Sequence, residues 1–253
     1  MSSRQRPYFA GPTPRILAHR GLATSALENT LDAFAAALDA GADLLETDAH
    51  ATADGIAVLL HDPELRRIAS LDLAVAALTL TELRAIGPVG EQICTLFDAL
   101  RTFPSARFNI DVKSAAAADA VARAVRDADA LDRVLVTSFS RRRRRRTLAQ
   151  VGDVAASASA MEVLPAVLAA RLGLRPVVRR VLRGVDAVQI PQRIAGVRAT
   201  TPRMIRAFQR AGVEVHVWTV NDPAEMRRLL DAGVDGIVTD RCDLLAEELG
   251  RRS

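Results

Sequence analysis

Two acidic residues one position apart, Glu46 and Asp48 in DLLETDA (43–49), raise the first chemical question. Side chains alternate along a strand, so both carboxylates point the same way. Like charges that close repel unless a cation lies between them. Asp111, in NIDVK (109–113), would add a third oxygen from the next strand. Three carboxylates without a nearby cysteine suit a hard divalent ion, Mg2+ or Ca2+. Solvated carboxylates at a loop end are the alternative. Lys113 stands two residues after Asp111 and is the only lysine among 34 basic residues. A compact ammonium there could hold a phosphate oxygen as a point charge. A lysine surviving by chance at the surface is the alternative, against which the surrounding site pattern counts.

The four histidines are His19, His50, His61 and His216. His19 ends RILAH (15–19), and His61 lies in VLLHDP after a TADG turn (52–55). Two histidines beside a metal and a cation make a general acid/base pair for phosphoester chemistry. His50 is expected to face away or sit at the rim. His216 alternates in register with Trp218, one layer deeper, where packing or a structural hydrogen bond is expected.

These groups must be positioned by strands. Short apolar runs at 15–19, 43–49, 107–112, 133–139, 154–159, 187–191, 214–220 and 236–240 read as strands. Helical patterns fall between most of them. NTLDAFAAALDAGA places Leu31, Phe34, Ala35 and Leu38 on one face. DPAEMRRLLDAGV does so with Met226, Leu229 and Leu230, between an Asp222 N-cap with Pro223 at the first helical position and a Gly233 stop. Eight strands alternating with helices over about 250 residues predict a single (β/α)8 TIM barrel spanning 1–253. A doubly wound open sheet is the alternative, but no glycine-rich dinucleotide turn follows the first strand. Residues 62–104 do not fit one βα unit and read as a small inserted subdomain after the second strand. In a barrel, His19-Arg20, Glu46, Asp48, Asp111, Lys113 and Trp218 all fall at strand ends that open on one face.

Composition bounds the rest. The chain is 49% hydrophobic and 25% charged with a net charge of +4, normal for a globular protein. No apolar run is long enough for a transmembrane helix, and MSSRQRPYFAGPTPR lacks the apolar core of a signal peptide. Cys94 and Cys242 form no metal-ligand pattern. A reduced, cytoplasmic location is expected. No amphipathic membrane anchor stands out, so no stable membrane association is expected.

Longer stretches resemble the glycerophosphodiester phosphodiesterase family. They are AHRG (18–21), ENTLDAF (28–34), GADLLETDAHATADGIAVLLHD (41–62), NIDVK (109–113), TSF (137–139), VHVWTVND (215–222) and GVDGIVTD (233–240). The resemblance runs from about residue 15 to the C-terminus. It implies a TIM barrel with a small insertion, hydrolysing glycerophosphodiesters to glycerol 3-phosphate and an alcohol. It implies a divalent metal on Glu46, Asp48 and Asp111 and makes His19 and His61 the acid/base pair. It places Arg20 and Lys113 on the phosphate, Trp218 and Phe139 among the substrate contacts, and Asn29 as a supporting hydrogen-bonder near His19. Departures touch specificity. Asp111 stands where many relatives have glutamate, the insertion is short, and Cys94 lies near a position where relatives often carry proline. A lysophospholipase D-like activity on a lipid substrate is the alternative. A degenerate, non-catalytic barrel would have lost a histidine or a metal acid, and none is lost.

SFSRRRRRRTL (138–148) holds six consecutive arginines, Arg141 to Arg146. No nucleic-acid partner is expected, because the net positive excess is small and arginine replaces lysine throughout the chain. The run is expected to start the helix after the fourth barrel strand. With Leu148 facing the barrel, Arg144 and Arg145 fall on the same side, their stems packing while the guanidiniums reach outward. Arg141 and Arg142, on the rim, form an inert, solvated helix face or, alternatively, draw in anionic diesters.

Overall fold

The computed structural model describes residues 6–194 and 196–250, so the first five residues of the segment read for a leader lie outside the described ones. Strand β1 (Arg15–His19) lies between β2 (Leu44–Ala51) and the last strand of the chain. A short β3 (Ala57–Leu59) folds back antiparallel on β2. Then follow β4 (Phe108–Val112), β5 (Val134–Thr137), β6 (Ala155–Ala156), β7 (Ala187–Ile190), a small β8–β9 hairpin (Arg193–Ile194, Val197–Arg198), β10 (Glu214–Val217) and β11 (Gly236–Thr239). Parallel pairing runs β6-β5-β4-β2-β1-β11-β10-β7. A parallel bridge between Ser157 and Ala187, with Asp186 N–H donating to the Ala156 carbonyl, joins the two ends of that order. The result is the eight-stranded parallel barrel that the sequence predicts.

Strand parity sorts the core. Ile16, Ala18, Leu45, Phe108, Ile110 and Val136 face outward into the layer of helices. Leu17, Leu44, Leu135, Ala155, Ala187 and Val238 face inward and fill the barrel. Tyr8 and Phe9 join this inner cluster from a 3-10 turn at Pro7–Phe9.

Helix α1 (Leu31–Asp39) is capped by Thr30, whose hydroxyl accepts from Ala33 N–H. Its fully buried residues are Ala33, Phe34 and Ala37, with Leu31 and Leu38 only partly buried. The face is thus rotated from the one the larger side chains predict. The cause is backbone proximity: a Cβ on Gly21 would lie 2.6 Å from the Ala33 carbonyl carbon, so the small side of α1 turns toward the loop after β1.

Between β3 and β4 come α2 (Arg66–Ala69), a 3-10 turn (Val75–Ala77), α3 (Leu80–Arg84), α4 (Gly87–Glu91) and α5 (Leu96–Thr102). Leu65, Val75, Leu83 and Ile93 close a small apolar cluster on Val58, apart from the main core. Leu96, Ala99 and Leu100 of α5 pack instead into the barrel's outer core. The segment 62–104 therefore divides: its first part caps the β2–β3 hairpin, and its last helix belongs to the barrel wall.

The remaining helices are α6 (Ala115–Asp127), α7 (Arg141–Val151), α8 (Ala160–Arg171), α9 (Arg175–Val181), α10 (Pro202–Gln209), α11 (Pro223–Ala232) and α12 (Cys242–Glu248). Helix α11 carries its expected signals. Asp222 accepts from Glu225 N–H, Pro223 opens the helix, and Gly233 ends it at φ +84°.

Six arginines do start α7, but two are placed differently from expectation. Arg145 is exposed, whereas Arg144 is 4% exposed with its guanidinium turned inward. It makes a bidentate pair with Glu162 of α8 (2.7 and 2.8 Å) and donates to the Ser157 carbonyl. An acid from the adjacent helix pairs with the buried charge, so the head group need not reach water. The same carboxylate accepts from Ser159 N–H and Oγ at the start of α8.

Candidate active site

The loop after β1 builds one wall of the site. Arg20 sits at φ +58°, a left-handed conformation uncommon outside glycine. There its N–H donates to the Glu46 carbonyl (2.9 Å) and approaches Glu46 Oε2 (3.2 Å). Gly21 follows at φ +83°, where it alone allows the close approach of α1. Asn29, also left-handed, donates from its N–H to the Arg20 carbonyl and accepts from Thr47 Oγ1 (2.7 Å). It thus braces the back of the loop and lies outside the cleft.

Glu46 and Asp48 project from β2 into the barrel mouth, and Asp48 pairs in register with Asp111 on β4. Two cations interleave with them. Arg20 Nε lies 2.8 Å from Asp48 Oδ2, and Lys113 Nζ lies 2.7 Å from Asp48 Oδ1 and 2.6 Å from Asp111 Oδ2. Burial opposes the lysine's charge, but Asp48 and Asp111 outweigh it and raise the Lys113 pKa. Neutralisation is incomplete. Burial, with the neighbouring Asp48 charge, lifts the Glu46 carboxyl well above the usual carboxylate range. Burial also lifts Asp111, despite the pull of Lys113 and the smaller pull of Arg143. Asp111 Oδ1 is buried and has no hydrogen-bond partner among the described residues.

Three carboxylates against two cations, with one orphaned oxygen, fit a further hard cation in charge and donor type. Among the described residues, however, no three acidic, histidine or cysteine side chains converge as a ready ligand set. Lys113 spans Asp48 and Asp111 instead.

Both expected histidines reach the mouth. His19 Nδ1 lies 2.6 Å from Asp240 Oδ1, and His61 Nδ1 lies 2.7 Å from Asp62 Oδ1. An ionised carboxylate only accepts, so Nδ1 of each ring carries the proton and Nε2 is left for chemistry. His19 Nε2 faces Glu46 Oε2 at 3.9 Å. Burial pulls the His19 pKa down, but the Asp240 hydrogen bond and the Glu46 charge overcome it, so the net shift is upward.

A cleft of about 550 Å³ gathers His19, Arg20, Glu46, Asp48, His61, Asp111, Lys113, Phe139 and Trp218. Opposite the charged floor is an apolar wall that includes Val163, Leu164, Pro191 and Ile194. Phe139 and Trp218 meet edge-to-face across it at 5.9 Å. His216 lies below, fully buried, with Nε2 3.1 Å from Glu214 Oε2, as its register with Trp218 predicts.

Several participants escape sequence reading. Asp240 orients His19 and is itself held by Asn221, whose Nδ2 donates to Asp240 Oδ2 (2.6 Å). Its signal was present in GIVTD and VND, which end β11 and follow β10. Glu28 accepts from Arg20 (3.2 Å) and from Arg67, and Arg67 also donates to Asp62. His50 does not face away: it is buried on the inward parity near the end of β2, and its Nε2–H donates to the His61 carbonyl (3.2 Å). Since Glu46, Asp48 and His50 alternate in step, parity alone places all three on one side.

Fold and cleft together define a (β/α)8-barrel phosphodiesterase. The family model described as the Glycerophosphoryl diester phosphodiesterase family matches residues 19–244. The chain belongs to that family. It is 43% identical to "Probable glycerophosphodiester phosphodiesterase 2" of Mycobacterium tuberculosis (strain ATCC 25618 / H37Rv), over 92% of this chain and 89% of the relative. It is 28% identical to a glycerophosphodiester phosphodiesterase of Caldanaerobacter subterraneus subsp. tengcongensis, over 89% of this chain and 93% of that one. Among solved structures it resembles the glycerophosphodiester phosphodiesterase of Thermotoga maritima. The TM-score there is 0.75 at 25% identity, with 94% of this chain and 99% of the other covered.

Proposed function

We propose that this protein hydrolyses glycerophosphodiesters to glycerol 3-phosphate and an alcohol, with His19 and His61 as the general acid/base pair. The observation that carries the reading is that each histidine is fixed at Nδ1 by a carboxylate, while Nε2 makes no hydrogen bond among the described residues, in a cleft that Arg20 and Lys113 also line. One Nε2 takes the proton of the attacking hydroxyl as its oxygen bonds to phosphorus; that hydroxyl is water's, or the neighbouring glycerol hydroxyl, in which case a cyclic phosphate forms and a water opens it to glycerol 3-phosphate in a second displacement. The other delivers a proton to the departing alcohol oxygen as its bond to phosphorus breaks. Arg20 and Lys113 hold the non-bridging oxygens, where charge develops. Trp218 and Phe139 pack against the carbon part of the substrate.

A divalent cation, Mg2+ or Ca2+, held by Glu46, Asp48 and Asp111, would supply further neutralisation of the phosphoryl oxygens when bound. The donor set supports this: three buried oxygen ligands, two of them with raised carboxyl pKa values. The test is glycerol 3-phosphate release from glycerophosphocholine and glycerophosphoethanolamine in EDTA, Mg2+ and Ca2+. Release that depends on added metal supports the reading; no release from any diester in any metal overturns it.

The apolar wall of the cleft favours a second reading, a lysophospholipase D-like activity on a lipid diester. Choline release from lysophosphatidylcholine that exceeds release from glycerophosphocholine would make it the principal one.

A further inference from the structure

From residue 163 to residue 170 helix α8 is apolar on both faces. Ala166, Val167, Ala169 and Ala170 are buried, while Met161, Leu164, Leu168 and Leu172 point outward. Met161 and Leu172 are 75% and 72% exposed. A helix that is apolar all round belongs inside a core or against a lipid phase, yet one side of α8 faces solvent. Leu174 and Val177 of the next turns extend the exposed row, and Leu164 also lines the cleft, so the outer row is continuous with the cleft's apolar wall.

Charge specifies the occupant. Residues 163–185 contain Arg171, Arg175, Arg179, Arg180 and Arg183 and no acidic residue. All five are exposed, and among the described residues none makes an ion pair. A second copy docked by a two-fold axis would set arginines against arginines. An apolar row within a field of unpaired arginines matches an anionic phospholipid surface, with aliphatic side chains entering the acyl boundary and guanidiniums meeting headgroup phosphates.

We propose that the outward face of α8 and α9 is a reversible docking surface for anionic phospholipid bilayers, set beside the mouth of the cleft. The surface replaces the expectation of no stable membrane association with peripheral, salt-sensitive binding. It does not depend on which diester the site cleaves.

The test is sedimentation of the full chain with phosphatidylglycerol/phosphatidylcholine vesicles and with pure phosphatidylcholine vesicles, at low and high salt. Turnover of soluble glycerophosphocholine without vesicles and size-exclusion elution are read alongside. The wild type should pellet with phosphatidylglycerol vesicles at low salt and be released by high salt. Arg179→Gln with Arg180→Gln should weaken binding about fivefold per arginine. Leu168→Gln with Leu172→Gln should weaken it about tenfold. Both variants should keep soluble turnover, since none of these residues lines the cleft. If the leucine variant misfolds, the arginine variant carries the test. The proposal is overturned if the wild type fails to pellet with phosphatidylglycerol vesicles, or if both folded variants bind like the wild type. It is also overturned if a solution dimer becomes monomeric on the leucine substitutions, which would make this face an interface between copies.

Discussion

Two buried charge clusters sit one above the other inside the same barrel, and they are built to opposite rules. In the lower one Arg15 makes two 3.0 Å bonds to Glu214 and donates to the carbonyls of Phe9 and Ala10, and Glu214 also meets His216. Burial pushes Glu214 up, but His216 and Arg15 pull harder, and its pKa falls to about 2. In the upper one Glu46 and Asp111 are lifted instead, an Asp111 oxygen has no hydrogen-bond partner among the described residues, and Arg20 and Asn29 hold left-handed backbones. The lower cluster is closed by the chain's own Tyr8 and Phe9; the upper one opens into the cleft. Satisfied charge fixes the barrel's base, and charge left unmet at its mouth is available to a ligand.

Glu214→Gln should separate the two most strongly. It leaves the Arg15 guanidinium buried without its counter-charge and should cost about 3–5 kcal/mol in denaturant unfolding, with kcat of the folded fraction near wild type. Glu46→Gln should do the reverse. In metal-saturated assays glycerol 3-phosphate release should fall about 10²-fold or more. In EDTA its Tm should stay or rise, because a buried carboxylate that resists ionisation has been removed. A matching loss of Tm in both variants would erase the distinction.

Acid titration sharpens it. A carboxyl whose pKa drops from 4.5 to about 2 on folding stabilises the protein above pH 4.5. That contribution is lost as pH falls from 4.5 toward 2, and Glu214→Gln should flatten the stability profile there. At the mouth, Asp240→Asn removes one of the groups that raise the His19 pKa. The His19 limb of the pH–rate profile should move to lower pH, with kcat reduced about tenfold. The smallest effect is expected at the rim. Arg141→Gln with Arg142→Gln should lower kcat/KM about two- to threefold at low salt and not at high salt, as loss of steering requires. Arg141 already lies 3.3 Å from Glu162, which blunts its share.

Much of this was legible in the order of residues. The eight strands follow from apolar runs, and parity alone put Glu46 with Asp48, Asp111 with Lys113, and His216 below Trp218. What stayed hidden depends on partners distant in sequence. The inward turn of Arg144 needs Glu162, eighteen residues on. The orientation of His19 needs Asp240, which directly follows β11, the strand that pairs with β1 from the other end of the chain. The rotated face of α1 needs the missing side chain of Gly21. The outward leucines of α8 look like core leucines in sequence, because a helix apolar on both faces does not announce which face is covered.

The central claim is that His19 and His61 exchange the protons of diester cleavage at the open end of the barrel. It is tested most directly by steady-state glycerol 3-phosphate release from saturating glycerophosphocholine, with Mg2+ or Ca2+ present, by the His19→Ala and His61→Ala proteins. Each should turn over at least about 10²-fold more slowly than wild type while keeping its Tm. Near wild-type release by either folded variant would contradict the account.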